Sequence, residues 1–186
     1  MRSLPLLTVS CLLLLGEANA RAEKLTRAQI ARLDAGKVIA RHWKLKGTNV
    51  GTGKAACVID ATVEQVRKVV ADVARYKEYI DRVVDSRVTK RARGYYHFYS
   101  RIDMPGPLSD RWCETKNRHS WDARRRVFKR SWTLLSGTFL RNEGYWQIRP
   151  WRRTRALAIY SVVLQIKTML PQAAVNYVTT VSYTHL

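Results

Sequence analysis

The sequence predicts an α+β fold in which a curved antiparallel β-sheet of six or seven strands wraps around one C-terminal helix. Two strand-like segments and a helical segment come first. From residue 83 to residue 166, apolar and polar residues alternate with a period of two, which is typical of half-buried strands. A helix-opening segment follows at residues 170–175, and a sheet of this length must bury one face against such a helix.

The first twenty residues have the pattern of a secretory signal. Arg2 precedes an apolar run over residues 4–15, and Ala18-Asn19-Ala20 is a small-x-small site of the kind that signal peptidase cuts. The apolar run is shorter than the ~20 residues that a membrane-spanning helix needs. We therefore expect residues 1–20 to be a signal peptide cleaved after Ala20, and the mature protein to be periplasmic or secreted.

The chain is long enough for one domain and is strongly basic. Its 186 residues include 34 Lys and Arg but only 14 Asp and Glu, a formal net charge of +20. The densest basic segments, residues 87–93, 124–130 and 149–155, each lie near a predicted strand end or hairpin. Such a charge favours anionic surfaces such as lipid headgroups or lipopolysaccharide, whereas nucleic acid is a poorer match for an exported protein. Charged strand ends can equally be no more than solvated edges.

The first predicted elements are a helical lead-in over residues 21–36 and strands over residues 37–43 and 55–59. A helix begins after Thr62, because Thr62 can cap it and Gln65, three residues on, completes a capping box. Five valines fall at helical spacing on one face of the following segment and are expected to be buried: Val63, Val66, Val69, Val70 and Val73.

A short helix over residues 73–79 leads into six strands joined by short turns, which predicts an antiparallel meander. These strands cover residues 83–91, 95–102, 110–119, 126–135, 143–150 and 155–166. Pro171 stands early in the C-terminal helix, where proline is tolerated. Residues 181–186 continue no helical pattern and match the in-frame translation of a transposase sequencing adapter. We therefore expect the domain to cover residues 37–180 and its last helix to be truncated.

The segment from Met104 to Arg111 resembles part of a known superfamily. Its sequence, Met-Pro-Gly-Pro-Leu-Ser-Asp-Arg, is similar to the Pro-x-Pro-Leu-Ser-Asp-Arg segment that opens a central strand in START-like (SRPBCC) proteins. This superfamily includes lipid-transfer START domains, coenzyme Q-binding proteins and polyketide cyclases. The resemblance covers residues 37–180 and implies a helix-grip fold with a hydrophobic cavity between the sheet and the C-terminal helix.

The residues of this segment are also typical of a turn, whatever its family. Pro105 and Pro107 fix the backbone and cannot donate ladder hydrogen bonds, and Asp110 can bond local backbone amides. Gly106 stands where the superfamily often has an aromatic residue, which predicts a looser loop. A charged ligand headgroup held by Arg111 is the alternative interpretation.

Aromatic and polar residues on the predicted strands indicate which face could line a cavity. Alternation places Phe98 on the inner face and His97 on the outer one. The candidate cavity residues are Phe98, Ser100, Arg111, Phe128, Arg130, Trp132, Trp146 and Tyr160. An inward Arg130 would need an anionic partner, such as a ligand carboxylate or phosphate. The same rings could instead form an ordinary hydrophobic core.

The sequence contains no recognised catalytic or metal-binding motif. His42, His97 and His119 belong to no triad, and neither His-x-x-x-His nor Cys-x-x-Cys occurs. Cys57 and Cys113 lie in apolar strand patterns and are expected to be buried thiols, although an oxidising compartment would permit a disulfide. We therefore assign no catalytic residue, metal or cofactor.

Together these patterns predict an exported protein that binds or carries a hydrophobic small molecule or lipid. An anionic membrane surface is a candidate second partner. Two alternatives remain open at this point. One is an enzyme of the cyclase/aromatase type, and the other is a basic protein that acts on an anionic envelope surface.

Overall fold

Eight antiparallel strands form one curved, unclosed sheet in the computed structural model, which describes residues 25–44, 48, 50–104 and 109–166. The elements are α1 (Arg27–Asp34), β1 (Ile39–Lys44), β2 (Gly51–Ile59), α2 (Val63–Ala71), a 3-10 turn (Val73–Arg75), α3 (Tyr76–Tyr79), β3 (Val83–Ala92), β4 (Tyr95–Ile102), β5 (Arg111–Asp122), β6 (Val127–Gly137), β7 (Phe139–Trp151) and β8 (Arg155–Ile166). The predicted signal peptide, the Pro-Gly-Pro turn, the C-terminal helix and residues 181–186 lie outside the described residues.

The strand order is β1-β2-β8-β7-β6-β5-β4-β3, which confirms the predicted meander from β3 to β8. The sheet has eight strands rather than six or seven, because the β1–β2 hairpin extends it beyond β8. Ala55 of β2 pairs with Tyr160 of β8, and Ile39 of β1 pairs with Ala56. The N-terminal hairpin therefore extends the sheet on the β8 side, and β3 and β1 form its two edges.

The helix α2 covers part of the concave face, and its capping box forms as predicted. The Thr62 amide donates to Gln65 Oε1 at 2.8 Å, and the Gln65 amide donates to Thr62 Oγ1 at 3.3 Å. Val63, Val66 and Val70 are buried against the core, whereas Val69 is 54% exposed. The prediction for Val69 is wrong because the buried stripe is narrower than five valines, and Val69 lies about 100° round the helix from Val70.

The lead-in helix α1 is anchored to the β7–β8 hairpin. Trp151 Nε1 donates to Asp34 Oδ1 at 2.7 Å, and the guanidinium of Arg152 lies 2.5 Å from the same carboxylate. Leu33 is fully buried. None of the helices in the described part of the chain is long and apolar enough to cross a bilayer.

The meander gives the sheet two different ends, because successive connections of antiparallel strands alternate between ends. The β3–β4, β5–β6 and β7–β8 hairpins share one end, and the β4–β5 and β6–β7 connections share the other. The helix α2 covers the concave face near the first end, where Glu64 pairs with Arg126 at 2.7 Å. The concave face near the second end is left for a cavity.

Candidate ligand-binding cavity

A cavity of about 180 Å³ lies on the concave face of the sheet, between the strands and the segment around α3. Its lining includes the exposed Asp81, at the end opposite the three hairpins. Its wall is mostly apolar and includes Ile80, Val83, Phe98, Ile102, Met104, Phe139, Trp132, Trp146, Tyr160, Val162 and Leu164. A cavity of ~150 Å³ is large enough to hold one aromatic ring. The space therefore suits a ring or part of an acyl chain.

Six of the eight residues predicted to line a cavity do lie in its wall: Phe98, Ser100, Arg130, Trp132, Trp146 and Tyr160. Three of their rings pack together, with centroid distances of 5.6 Å between Trp132 and Tyr160 and 4.8 Å between Trp146 and Tyr160. That they bind a ligand stays a prediction.

The other two predicted residues lie outside the cavity wall. Phe128 is 2% exposed and belongs to the core beneath α2, because that helix fills the concave face at the hairpin end. Arg111 is 8% exposed and faces inward at the start of β5, but the wall of the cavity begins at the next inward residue, Cys113. Among the described residues, Arg111 Nε has no hydrogen-bond partner.

Four uncharged polar residues of the wall were not predicted, namely Tyr76, Thr115, Asn117 and Asn142, and neither were the charged Asp81 and Arg82. Thr115 and Asn117 share the inward phase of Arg111, so strand alternation could have found them. Asn142 lies before the predicted start of its strand, because the polar sequence around it is typical of a turn. Tyr76 reaches the cavity only through the packing of α3, which leaves no periodic signal.

Arg130 is the most unusual member of the wall, because it is a guanidinium that is only 5% exposed. Its Nη1 donates to the Tyr76 hydroxyl at 2.6 Å and to the Val70 carbonyl at 3.0 Å. Its Cζ also lies 5.3 Å from the ring centroid of Tyr76 and 5.5 Å from that of Trp132. No carboxylate among the described residues forms an ion pair with it. Arg130 therefore interacts with two neutral acceptors and two aromatic rings in place of the anionic partner that we expected from the sequence.

Three buried polar atoms at this inner end of the concave face have no hydrogen bond of good geometry among the described residues: Arg130 Nε, Asn117 Oδ1 and the Tyr96 hydroxyl. Arg130 is nevertheless close enough to Tyr96 to oppose the rise in pKa that burial causes in that phenol. Asn117 is fully buried, and its Nδ2 donates to Thr115 Oγ1 at 2.9 Å. Leaving a buried donor or acceptor unpaired costs roughly 1–3 kcal/mol. Arg130 and Asn117 both line the cavity, so a donor and an acceptor are left incomplete in its wall.

Burial sets the protonation of the neighbouring phenol and thiols. It raises the pKa of Tyr76, an effect that the Arg130 guanidinium opposes, so Tyr76 stays a neutral donor to the Val70 carbonyl at 2.8 Å. Burial likewise raises the pKa of Cys57 to about 11 and raises that of Cys113. Both cysteines are buried and free, as predicted. Protonated thiols are weak nucleophiles at neutral pH.

The histidines lie away from the cavity wall. His97 is on the outer face as predicted, with Nδ1 3.9 Å from Glu114 Oε1. His119 is exposed on β5 beside Tyr96, and His42 is exposed on β1. In the described ranges, no three His, Cys, Asp or Glu side chains cluster as metal ligands would.

Comparison with known proteins identifies the family to which the chain belongs. The model of the family described as polyketide cyclase / dehydrase and lipid transport matches residues 59–180. No curated protein matches the sequence. Among solved structures, the fold is similar to a STAR-related lipid transfer protein from Xanthomonas axonopodis, with a TM-score of 0.66 and 15% identity over 79% of this chain and 88% of that one.

Two further structures show the same fold at low identity. The lipid transfer and protein localization domain of human StarD13 has a TM-score of 0.65 and 12% identity, over 76% of this chain and 77% of that one. The Zhui aromatase/cyclase from Streptomyces has a TM-score of 0.55 and 14% identity, over 77% of this chain and 89% of that one. The resemblance seen in the sequence is thus confirmed: the chain belongs to the polyketide cyclase / dehydrase and lipid transport family of the START-like superfamily.

Proposed function

We propose that this protein binds a hydrophobic small molecule or lipid in the concave cavity, as a binding or carrier protein. The observation that carries the proposal is the combination of an apolar wall with the incomplete polar pair Arg130 and Asn117. If this region were only a structural core, filling the cavity and giving Arg130 and Asn117 hydrogen-bond partners would stabilise the fold. The family description, which includes lipid transport, supports the same proposal.

The wall also defines the chemistry of the ligand. The rings of Trp132, Trp146 and Tyr160 would pack against an apolar ring or acyl segment. Arg130 Nε can donate to a ligand carbonyl or carboxylate, and Asn117 Oδ1 can accept from a ligand hydroxyl. The matching ligand is an apolar body that carries a small oxygen-bearing group at its buried end.

A cyclase or dehydrase activity is the second candidate, and the family description is what favours it. Tyr76 is the nearest proton donor to Arg130 in the cavity wall, at 2.6 Å from Nη1. Its hydroxyl already donates to the Val70 carbonyl, so a role in proton transfer would require that hydrogen bond to break. Binding without turnover therefore fits the described residues better.

We further propose that the protein is exported, on the strength of the signal-like residues 1–20. An exported carrier would move its cargo through an aqueous space outside the cytoplasm. Expression with residues 1–20 attached, followed by fractionation and N-terminal sequencing, tests this directly. An uncleaved protein in the cytoplasm would contradict it.

Native mass spectrometry with lipid extraction tests cavity binding in the full chain. We expect a defined apolar ligand, copurified or taken up from a panel of a sterol, a quinone, a fatty acid and a phospholipid. Ser100→Leu places a larger side chain in the cavity and should abolish uptake, whereas Ser131→Leu on the outer face of β6 should not. An empty protein that takes up nothing from the panel would overturn the proposal.

A further inference from the structure

The three hairpins at the closed end of the sheet bring together basic segments that are far apart in the sequence. Exposed arginines stand in the β3–β4, β5–β6 and β7–β8 hairpins, and we call this end the basic pole. Its arginines are Arg91, Arg93, Arg124, Arg125, Arg126, Arg152 and Arg153. The hairpin arginines of the three densest basic segments are thus brought to the same end of the sheet.

The acidic residues near the basic pole are already engaged within the fold. Glu64 pairs with Arg126 at 2.7 Å, and this partner lowers the pKa of Glu64 to about 2. Asp34 pairs with Arg152 and also with Arg155, and Asp122 pairs with Arg125. The Glu64 pair joins the β5–β6 hairpin to α2 and the Asp34 pairs join the β7–β8 hairpin to α1, whereas the Asp122 pair lies within the β5–β6 hairpin.

Four arginines of the basic pole remain without an ion pair among the described residues: Arg91, Arg93, Arg124 and Arg153. At least one stands in each hairpin. The paired Arg126 and Arg152 have φ values of 53° and 56°, a left-handed conformation that glycine or asparagine adopts with less strain. Arginine thus occupies even the positions where the backbone disfavours it.

Among the described residues, arginines at the opposite end of the sheet are paired with acids. Arg82 pairs with Asp103, Arg101 with Asp110, Arg141 with Glu143 and Arg87 with Asp85. In the described part of the chain, the turn arginines that lack an acid partner therefore lie at the hairpin end, which is closed to the cavity.

The spacing of the hairpins indicates the kind of partner. Neighbouring strands lie ~4.8 Å apart, so hairpins two strands apart are separated by about 10 Å and the outer two by about 20 Å. One small anion cannot bridge these tips, but an extended anionic surface can. Trp121 and Trp151, both half-buried, flank the tips, and tryptophan with arginine is typical of protein surfaces at bilayer interfaces.

We propose that the basic pole docks onto a bilayer that contains anionic phospholipids and holds the protein there through a surface distinct from the cavity. The choice of a bilayer over other polyanions rests on the proposed function, because a protein with apolar cargo has to meet membranes. Docking and cargo binding then use separate residues.

Cosedimentation of the full chain with vesicles tests this surface. We expect binding to equimolar phosphatidylcholine and phosphatidylglycerol that weakens with salt, and no binding to phosphatidylcholine alone. The triple variant Arg93→Glu, Arg124→Glu, Arg153→Glu should bind about a hundredfold more weakly. The control Lys44→Glu, Lys68→Glu, Lys77→Glu changes net charge equally at exposed sites outside the pole, and should retain most of the binding.

Three outcomes would overturn the docking proposal. These are equal losses in both triple variants, no loss in the pole variant, or tighter binding to a DNA duplex than to the anionic vesicles. Native mass spectrometry of the pole variant keeps this result separate from the proposed function. Retained cargo with lost vesicle binding supports both proposals, whereas vesicle binding by a protein that takes up no cargo leaves docking intact and removes the carrier role.

Discussion

The two ends of the sheet are built from the same strands but differ in charge and in how the concave face is filled. At the basic pole, α2 and tight hairpins close the concave face, and arginines outnumber the acids that pair with them. At the cavity end, arginines are paired with acids, and large apolar residues such as Leu140 are exposed, in its case by 56%. The comparison shows that net charge alone does not indicate where a protein carries its positive charge. That depends on which basic side chains have an acidic partner nearby.

The largest effect should come from crowding the cavity wall. A Cβ added at Gly144 would lie 2.1 Å from the Ser161 carbonyl oxygen and 2.6 Å from the Trp132 ring, so Gly144→Ala should destabilise by about 3 kcal/mol or more. At the basic pole, Gly94→Ala meets open space and should cost only about 1 kcal/mol for its positive φ. Denaturant unfolding measures both variants, with Gly51→Ala as a near-neutral control. Equal losses at Gly144 and Gly94 would contradict the comparison.

The next largest effect is expected on ligand binding, and it should distinguish the buried Arg130 from the exposed arginines of the basic pole. Arg130→Met removes the donor in the cavity wall and should weaken binding of a long-chain fatty acid about tenfold to a hundredfold. Binding of an alkane of equal length should change little, since the alkane has no group for Arg130 to bind. Titration of both ligands measures the difference, with Arg93→Met at the pole as control. Equal losses for acid and alkane would show that Arg130 only supports the fold.

A several-fold effect is expected on cysteine chemistry. Cys113 lies in the cavity wall with Asn142 Nδ2 3.4 Å from its sulfur, whereas Cys57 lies in the core beneath α2. Both thiols should react slowly with iodoacetamide at neutral pH because burial raises their pKa. Bound cargo should slow Cys113 further and leave Cys57 unchanged, as peptide mass mapping would show. Cargo that protects both thiols equally would point to global stabilisation rather than cavity binding.

The smallest effect concerns pH at the basic pole. Because Arg126 lowers the folded pKa of Glu64 to about 2, against 4.5 ordinarily, the ion pair stabilises the fold above pH ~4.5 and loses this contribution as the pH falls toward 2. Glu64→Gln removes that dependence. Thermal melts from pH 7 to pH 3 should therefore show a slightly shallower decline in Tm for the variant, since the pair is exposed. An identical decline would mean that the pair contributes nothing measurable.

Sequence patterns predicted the fold better than they predicted the site. Alternation located all six meander strands, and the Thr62–Gln65 box located the start of α2. The strands β1 and β2 were also predicted, but their place in the sheet was not, because pairing of β2 with β8 depends on contacts between distant segments. Phe128 had the right phase for the cavity, but only the packing of α2 decides whether an inward ring is core or wall.

The difference in charge between the two ends could not be predicted from the sequence either. The basic segments were visible, but their convergence depends on the alternation of connections, and their surplus depends on which acids lie nearby. Glu64 and Arg126 are 62 residues apart in the chain. No local pattern indicates that such residues will pair.

Fluorescent labels at the two ends test the division between them most directly. Thr154→Cys places an environment-sensitive dye on the exposed β7–β8 tip, and Leu140→Cys places it on the β6–β7 side at the cavity end. Cys11, in the predicted signal peptide, is replaced by serine, and the buried Cys57 and Cys113 should remain unlabelled. On vesicles of phosphatidylcholine and phosphatidylglycerol, the dye at position 154 should shift to the blue while the dye at position 140 stays unchanged. A shift at position 140 alone, or equal shifts at both, would contradict a docking end distinct from the cavity end.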